Sequence, residues 1–287
     1  MPDALQALLV IAAVALVLTV AVLVARALLP RIGSTRGTVR LRTEPIPDGW
    51  NEIIARNVPL ASGLSAEEHE RLLQLVQVFV HDKPFEGCGG LEITAEMRVT
   101  IAAHACLLLL HLDGPCYPTV RRILVYPSAF RPKYAPHVGQ IAPPPAPVVA
   151  SGEAWRDGMV ILSWDDVRAG GANPADGNDV ALHEFAHALD QEDGDAGGTP
   201  VLDSPSLVRS WARVLSAHYE RLQQDVRAGR STVLHEYGVT NPAEFFAVAT
   251  ETFFEKPQQL KAAEPDLYDE LRQYYHQDPA ARRPDQG

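Results

Sequence analysis

The segment VALHEFAHALD, residues 180–190, is the part of the sequence that most constrains how this chain can fold. His183 and His187 are four residues apart, which on an α-helix is an offset of about 40° and a rise of roughly 6 Å, so both imidazoles leave one face. Apart from Glu184, the positions between and beside the two histidines are apolar. Buried histidines and a buried glutamate need partners, and a metal ion would supply one. The segment therefore predicts a buried helix that holds a metal ion.

Two neutral imidazoles on one helix face can bind a single zinc ion at about 2.0–2.1 Å. Glu184 follows the first histidine directly and could take the proton of a metal-activated water as that water attacks a carbonyl carbon. The pattern HExxH also recurs by chance in unrelated chains, where two ordinary surface histidines are the alternative interpretation. The apolar surroundings of this segment favour the metal site.

Catalytic zinc needs a third protein ligand and one open position. Glu244 and Glu251 are seven residues apart, so they share one face of the apolar helix predicted after Asn241, and spacing alone does not choose between them. The glutamate that does not bind the metal would contact a metal-binding histidine or be solvated. Asp190, three residues after His187, is either such a histidine partner or a surface carboxylate at the end of the helix.

A second constraint lies near the N-terminus, where residues 7–25 form an uncharged apolar run. As a helix this run would be roughly 28 Å long, close to the ~30 Å hydrocarbon core of a bilayer. A cleaved signal peptide is the less favoured alternative, because no basic residue precedes the run and arginines follow it. We therefore predict one N-terminal transmembrane helix, an anchor within residues 1–29.

The charges around this run predict the orientation of the chain in the membrane. The first 42 residues contain one acidic residue and five arginines, all of which follow the run: Arg26, Arg31, Arg36, Arg40 and Arg42. Basic residues beside a membrane span stay in the cytoplasm, so we expect a single-pass protein of the inner (cytoplasmic) membrane with its main domain in the cytoplasm. The three cysteines form no CxxC pair, which fits a reducing compartment.

The rest of the chain is predicted to be a mostly helical α+β domain with a small sheet. It is more acidic than the whole chain, whose net charge is −11, so direct nucleic-acid binding is not expected. Residues 30–64 are interpreted as a juxtamembrane linker and entry, 65–279 as the domain, and 280–287 as a disordered tail. Helices are expected to begin near Ser65, near Thr94, near Asn178, near either Pro205 or Ser206, and near Asn241. A last helix is expected over 264–276, and strands are expected over 123–127 and 159–164.

Several separate segments, in order between about residue 70 and residue 279, carry a resemblance to a known family. They read ITAEMRVTIAAHACLLLL, ILVYPSAF, VILSWDDV, VALHEFAHALDQEDG, TNPAEFFAVATETFF and LYDELRQYYHQDP. In these segments the chain resembles the Mlc titration factor A family of bacterial zinc metallopeptidases. The active-site core of that family is similar to the catalytic domain of anthrax lethal factor, so the resemblance implies a zincin-like metallopeptidase domain.

The resemblance also implies roles for individual residues. It implies that Glu244, which opens the EFFA segment, is the third ligand of one Zn²⁺ ion beside His183 and His187. It implies that Tyr237, in HEYGVTNPAE, stabilises the oxyanion of the tetrahedral intermediate. The implied substrates are peptides or proteins, with aminopeptidase action expected. One member of the family also binds a transcriptional repressor of sugar-transport genes and keeps it off DNA.

Two functions of different classes follow from these observations. The first is a membrane-anchored zinc-dependent peptidase in which Glu184 is the general base. The second is a regulatory protein that binds and titrates a transcriptional repressor, with peptidase activity secondary. A binding protein has no need of Glu184 together with Tyr237, so the residues favour the peptidase. A secreted protease released by signal cleavage is a third, weaker alternative.

Overall fold

The computed structural model describes residues 44–128, 152–155 and 158–282. The predicted membrane anchor, its arginine-rich flank and the last five residues of the predicted tail lie outside these ranges. Among the described residues, no helix is both long enough and apolar enough to span a bilayer.

A four-stranded mixed sheet forms one layer of the described structure. Its strands are β1 (Phe85–Gly87), β2 (Arg122–Tyr126), β3 (Gly152–Trp155) and β4 (Met159–Ser163), in the spatial order β1-β2-β4-β3. β1, β2 and β4 are parallel, with Leu124 opposite Ile161, and β3 joins β4 as an antiparallel edge. The apolar runs of β2 and β4 confirm the two predicted strands, since parallel strands covered by helices are apolar on both faces. β1 and β3 were not predicted because such short strands show no readable alternation.

Helices make up most of the remaining described chain, which confirms the predicted α+β class. They are α1 (Trp50–Asn57), α2 (Ala66–Asp82), α3 (Ala95–Leu108), α4 (Trp164–Ala172), α5 (Val180–Asp190), α6 (Pro205–Arg227), α7 (Pro242–Glu255), α8 (Pro257–Ala263) and α9 (Pro265–Tyr275). Three short 3₁₀ turns, Pro59–Gly63, Glu236–Val239 and Pro279–Ala281, lie between or after them.

Side-chain caps explain where α2 and α7 begin. Before α2, the Ser65 hydroxyl accepts a hydrogen bond from the Glu68 N–H at 3.2 Å, and the Glu68 carboxylate accepts from the Ser65 N–H at 2.8 Å. Before α7, Asn241 Oδ1 accepts from the Glu244 N–H at 3.0 Å, and Pro242 occupies the first helical position. Both predicted starts are confirmed, and the second places Glu244 in the first turn of its helix.

The predicted start of α5 at Asn178 is one residue too early. The cap is Asp179, whose Oδ1 accepts hydrogen bonds from the N–H groups of Ala181 and Leu182 at 2.9 and 3.0 Å. Asn and Asp are equally good capping residues, so the sequence alone did not distinguish these neighbours.

Residues 50–64, the later part of the segment interpreted as a juxtamembrane linker and entry, form α1 and a 3₁₀ turn. Trp50, Ile54 and Val58 from this segment are buried in the core. The Asn57 side chain donates hydrogen bonds of 2.9 Å to Glu96 Oε1 and to the Thr100 hydroxyl, so it joins α1 to α3. This segment therefore belongs to the folded body rather than only connecting to it.

Helix α5 lies at the centre of the core. Its residues Leu182 and Phe185 are fully buried, and the Phe185 ring lies 5.0 Å from the ring of Tyr117 and 5.5 Å from that of Phe79. The predicted apolar surroundings of the two histidines are thus confirmed. With its apolar faces packed on α3 and the sheet, α5 presents its histidine face to α7.

Candidate metal centre

The packing of α5 on α7 brings His183, His187 and Glu244 together. Glu244 Oε2 lies 2.9 Å from His183 Nε2 and 3.2 Å from His187 Nε2, and the two Nε2 atoms are 3.2 Å apart. One ligand atom from each of the three residues therefore lies within 4.8 Å of the others, an arrangement compatible with a metal site. These are the two histidines from the HEFAH segment and one of the two glutamates between which spacing did not choose.

The chemistry and spacing of these groups fit one zinc ion. Bonds of about 2.0–2.2 Å in tetrahedral geometry place ligand atoms roughly 3.3 Å apart, close to the separations found here. Each of the three side chains keeps between 12% and 18% of its surface exposed, so one side of the cluster is open. Two imidazoles, one carboxylate and an open side are the features of a catalytic zinc site.

The protonation states of these groups also favour the binding of a cation. Burial would raise the pKa of Glu244, but hydrogen bonds from His183 and His187 lower it to about 2, so this carboxylate is ionised at neutral pH. Burial lowers the pKa of His187 and favours its neutral form. For His183, hydrogen bonds to Glu244 and Glu251 outweigh burial and raise the pKa. A metal ion at His183 would therefore displace a proton.

Glu251 contacts a histidine rather than the cluster of ligand atoms. Its Oε1 accepts a hydrogen bond of 2.7 Å from His183 Nδ1, and its side chain is buried. This contact fixes the His183 ring so that Nε2 points at Glu244, as carboxylate partners of metal-binding histidines do. Glu251 thus follows the first of its two alternatives, a histidine partner, rather than the solvated one.

Glu184 and Tyr237 both lie close to His183. Glu184 is buried in α5, 4% exposed, and its negative charge contributes to the raised pKa of His183. Tyr237 lies in the 3₁₀ turn before α7, where its ring centroid is 6.0 Å from that of His183. It is 48% exposed and is the one large hydrophobic side chain among the described residues that stays open to solvent. Both sequence-predicted catalytic residues therefore lie next to the candidate metal ligands.

A buried pair behind the site was not predicted. Asp179 Oδ2 lies 3.1 Å from His104 Nε2 of α3, and both side chains are only 1% exposed. Burial would raise the pKa of Asp179, but the His104 charge and the capped N–H groups lower it. The capping preference of Asp179 was a readable signal, whereas its pairing with a residue on another helix was not. The pair joins the start of α5 to α3.

Asp190 follows neither of its two predicted alternatives. It is buried, so it is not a surface carboxylate, and its Oδ2 accepts a hydrogen bond from the Gly198 N–H, 2.8 Å away, rather than from a histidine. Burial raises the pKa of Asp190 to about 6, although hydrogen bonds from the backbone N–H groups of Gly198 and Thr199 oppose this rise.

The chain is similar in sequence to a family of metallopeptidases and to several known proteins. Residues 33–276 match the family described as glucose-regulated metallo-peptidase M90. An uncharacterized protein of Synechocystis sp. is 38% identical over 247 residues, which cover 84% of this chain and 88% of that protein. Mlc titration factor A of Serratia proteamaculans is 32% identical over 238 residues, covering 81% and 88% of the two chains. Mlc titration factor A of Klebsiella pneumoniae is 32% identical over 243 residues, covering 83% and 89%.

Proposed function

The chain belongs to the Mlc titration factor A family of M90 metallopeptidases, and we propose that it hydrolyses peptide bonds at a zinc ion held by His183, His187 and Glu244. The observation that carries this proposal is the convergence of these three side chains, with an open side and with Glu184 buried beside them. When bound, the zinc ion would act as a Lewis acid that polarises the substrate carbonyl and acidifies water.

In this proposal Glu184 moves the proton. Its carboxylate accepts a proton from the attacking water and then delivers it to the nitrogen of the departing amine. The low exposure of Glu184 keeps bulk water from competing for the carboxylate. Neither role requires Glu184 to bind the metal, which agrees with its absence from the group of converging ligand atoms.

Tyr237 and Glu251 contribute to the same reaction in different ways. The Tyr237 phenol, at the exposed edge of the site, donates a hydrogen bond to the oxyanion that develops on the substrate carbonyl. Glu251 accepts from His183 Nδ1 and keeps that ring oriented, so its effect reaches the reaction through His183.

The test of this proposal is the substitution Glu184→Gln. We expect the variant to keep the zinc content of the wild type and to hydrolyse peptides about 10²–10⁴-fold more slowly, because it loses a general base but no ligand. Zinc content and turnover of a fluorogenic peptide library would be measured on the same preparation.

Glu236→Gln is the matched control, because Glu236 also follows a histidine but lies exposed in the turn that carries Tyr237. This control should keep turnover within a few-fold of the wild type, since it removes neither a base nor a ligand. Unchanged turnover in Glu184→Gln would refute the assignment of the general base.

A second function is favoured by the name of the relatives. The Serratia and Klebsiella proteins are called Mlc titration factor A, a name that describes the titration of another protein. Capture of a transcriptional repressor is therefore the second candidate for this chain, and it would not need Glu184. If Glu184→Gln abolishes peptide hydrolysis but leaves the cellular effect of the protein intact, titration is the main role.

We also propose that the peptidase domain is held at the inner (cytoplasmic) membrane, on its cytoplasmic side, by a single anchor within residues 1–29. This proposal is supported by the uncharged run at 7–25 and by the arginines that follow it. Anchoring would restrict the enzyme to peptide or protein substrates that reach the membrane surface.

A further inference from the structure

The chain that leaves α5 turns back and touches the start of α7. Asp190, the last residue of α5, accepts a hydrogen bond of 2.8 Å from the Gly198 N–H and so closes the loop of residues 191–198. The Gly198 carbonyl accepts a hydrogen bond of 2.9 Å from the indole N–H of Trp211, which is buried in α6. Both the N–H and the carbonyl group of Gly198 therefore form hydrogen bonds.

Gly198 lies directly against the backbone of α7. It has a positive φ of 75°, and a Cβ atom built on it would lie 2.3 Å from the Pro242 carbonyl oxygen and 3.3 Å from the Ala243 nitrogen. A contact of 2.3 Å to a backbone atom is impossible without movement of one of the two segments. Only glycine allows this approach, which occurs two residues before Glu244.

We propose that the Asp190–Gly198 contact is a latch that sets the distance between the imidazoles of α5 and the carboxylate of Glu244, and thereby the zinc affinity. This inference rests on the proposed metal site and assigns Asp190 and Gly198 as positioning residues. Neither residue touches the ligand atoms. They act through the backbone of Pro242 and Ala243, which carries Glu244.

The two ends of the contact between α5 and α7 are held differently. At one end, Glu251 of α7 binds His183 of α5 directly through its side chain. At the other end, His187 and Glu244 meet as prospective ligands, and the latch is the additional link from α5 to the first turn of α7. Metal–ligand distances in proteins lie within about 0.2 Å of their usual values, so a small shift of this turn would weaken binding.

The test compares Gly198→Ala with Gly194→Ala in the same loop. Both glycines have a positive φ, 75° and 86°, so alanine strains the backbone in both variants. At Gly194 a Cβ atom would meet nothing within 4 Å, whereas at Gly198 it meets Pro242. The difference between the two variants therefore isolates the displacement of α7 from the cost of the conformation.

The measurement is the dissociation constant for zinc, from competition with a chelator, together with the visible spectrum of the cobalt(II)-substituted protein. We expect Gly198→Ala to weaken zinc binding about 10–100-fold relative to Gly194→Ala, the usual effect of a lost supporting contact. We also expect its cobalt absorption bands to shift, because the coordination geometry changes. A loss of stability alone would lower the melting temperature without moving these bands.

A second pair of variants keeps the test decisive if Gly198→Ala does not fold. Asp190→Ala removes the acceptor for the Gly198 N–H and should weaken zinc binding, whereas Asp190→Asn keeps an acceptor oxygen and should restore it.

Equal zinc affinities and equal cobalt spectra for Gly198→Ala and Gly194→Ala would overturn the latch and leave the metal site intact. Absence of zinc binding in the wild type would instead overturn the proposed function itself.

Discussion

Glu251 offers a test of how the second helix supports the site without supplying a ligand. The substitution Glu251→Ala removes the acceptor for His183 Nδ1 and leaves Glu244 in place. Hydrogen bonds to charged groups contribute about 1.5–3 kcal/mol, and about 1.4 kcal/mol corresponds to a tenfold change in an equilibrium constant. We therefore expect zinc binding to weaken about 10–100-fold, which is also the usual range for such carboxylate partners.

Two reference variants bracket this effect. Glu251→Gln keeps an oxygen that can accept from Nδ1, so we expect a smaller loss than for Glu251→Ala, since a neutral acceptor forms a weaker bond. Glu244→Ala removes a ligand and should lose zinc at concentrations at which Glu251→Ala retains it. Zinc dissociation constants for all variants would be measured by competition with a chelator.

The order of the three variants decides the assignment. If Glu251→Ala lost zinc while Glu244→Ala retained it, Glu251 would be the third ligand and the reasoning from the 2.9 and 3.2 Å contacts of Glu244 would be wrong. If Glu251→Ala bound zinc as tightly as the wild type, the orientation of His183 would not depend on this carboxylate.

Three further predictions concern the reaction, the pH dependence and the membrane. Tyr237→Phe should lower kcat about 10²-fold with unchanged zinc content, measured by steady-state peptide hydrolysis, and an unchanged kcat would exclude the oxyanion role. Burial, and then the charge of Asp179, raises the pKa of Glu255 to about 9 from an unfolded value of 4.5. The stabilisation that the protonated Glu255 gives the fold is therefore fully present below pH 4.5 and is lost as the pH rises through about 9. Glu255→Gln should flatten this decline in the free energy of unfolding, measured by urea unfolding at pH 5 to 9.5. A reporter fused to the C-terminus should be active in the cytoplasm only, and periplasmic activity would contradict the orientation predicted from residues 7–25.

Local patterns were sufficient to predict α5 and its histidine face. The helical spacing of His183 and His187 and their apolar neighbours are properties of one short segment, and burial of that segment confirms them. The caps at Ser65 and Asn241 are equally local, and both are confirmed.

The side-chain contacts between helices could not be predicted from the sequence. Glu244 and Glu251 lie on one face of α7, so their spacing carries no information about which of them meets both imidazoles. The pairing of His187 with Glu244, and of His183 with Glu251, depends on α7 running antiparallel to α5. The resemblance to a known family assigned Glu244, and the structure brings it to the two imidazoles.

The contacts of Asp179 and Asp190 show the same limit. Asp179 pairs with His104 from a separate helix, and Asp190 closes a loop through a backbone N–H. Neither partner is marked by residue type or by spacing, because each arises from the packing of distant segments.

Metal analysis of the purified full chain would show whether His183, His187 and Glu244 hold one catalytic zinc ion. We expect one zinc per chain in the wild type, loss of zinc in Glu244→Ala, and peptide hydrolysis that stops on chelation and returns when zinc is added. A Glu244→Ala variant that carries as much zinc as the wild type, or a wild type that hydrolyses peptides equally well without zinc, would contradict it.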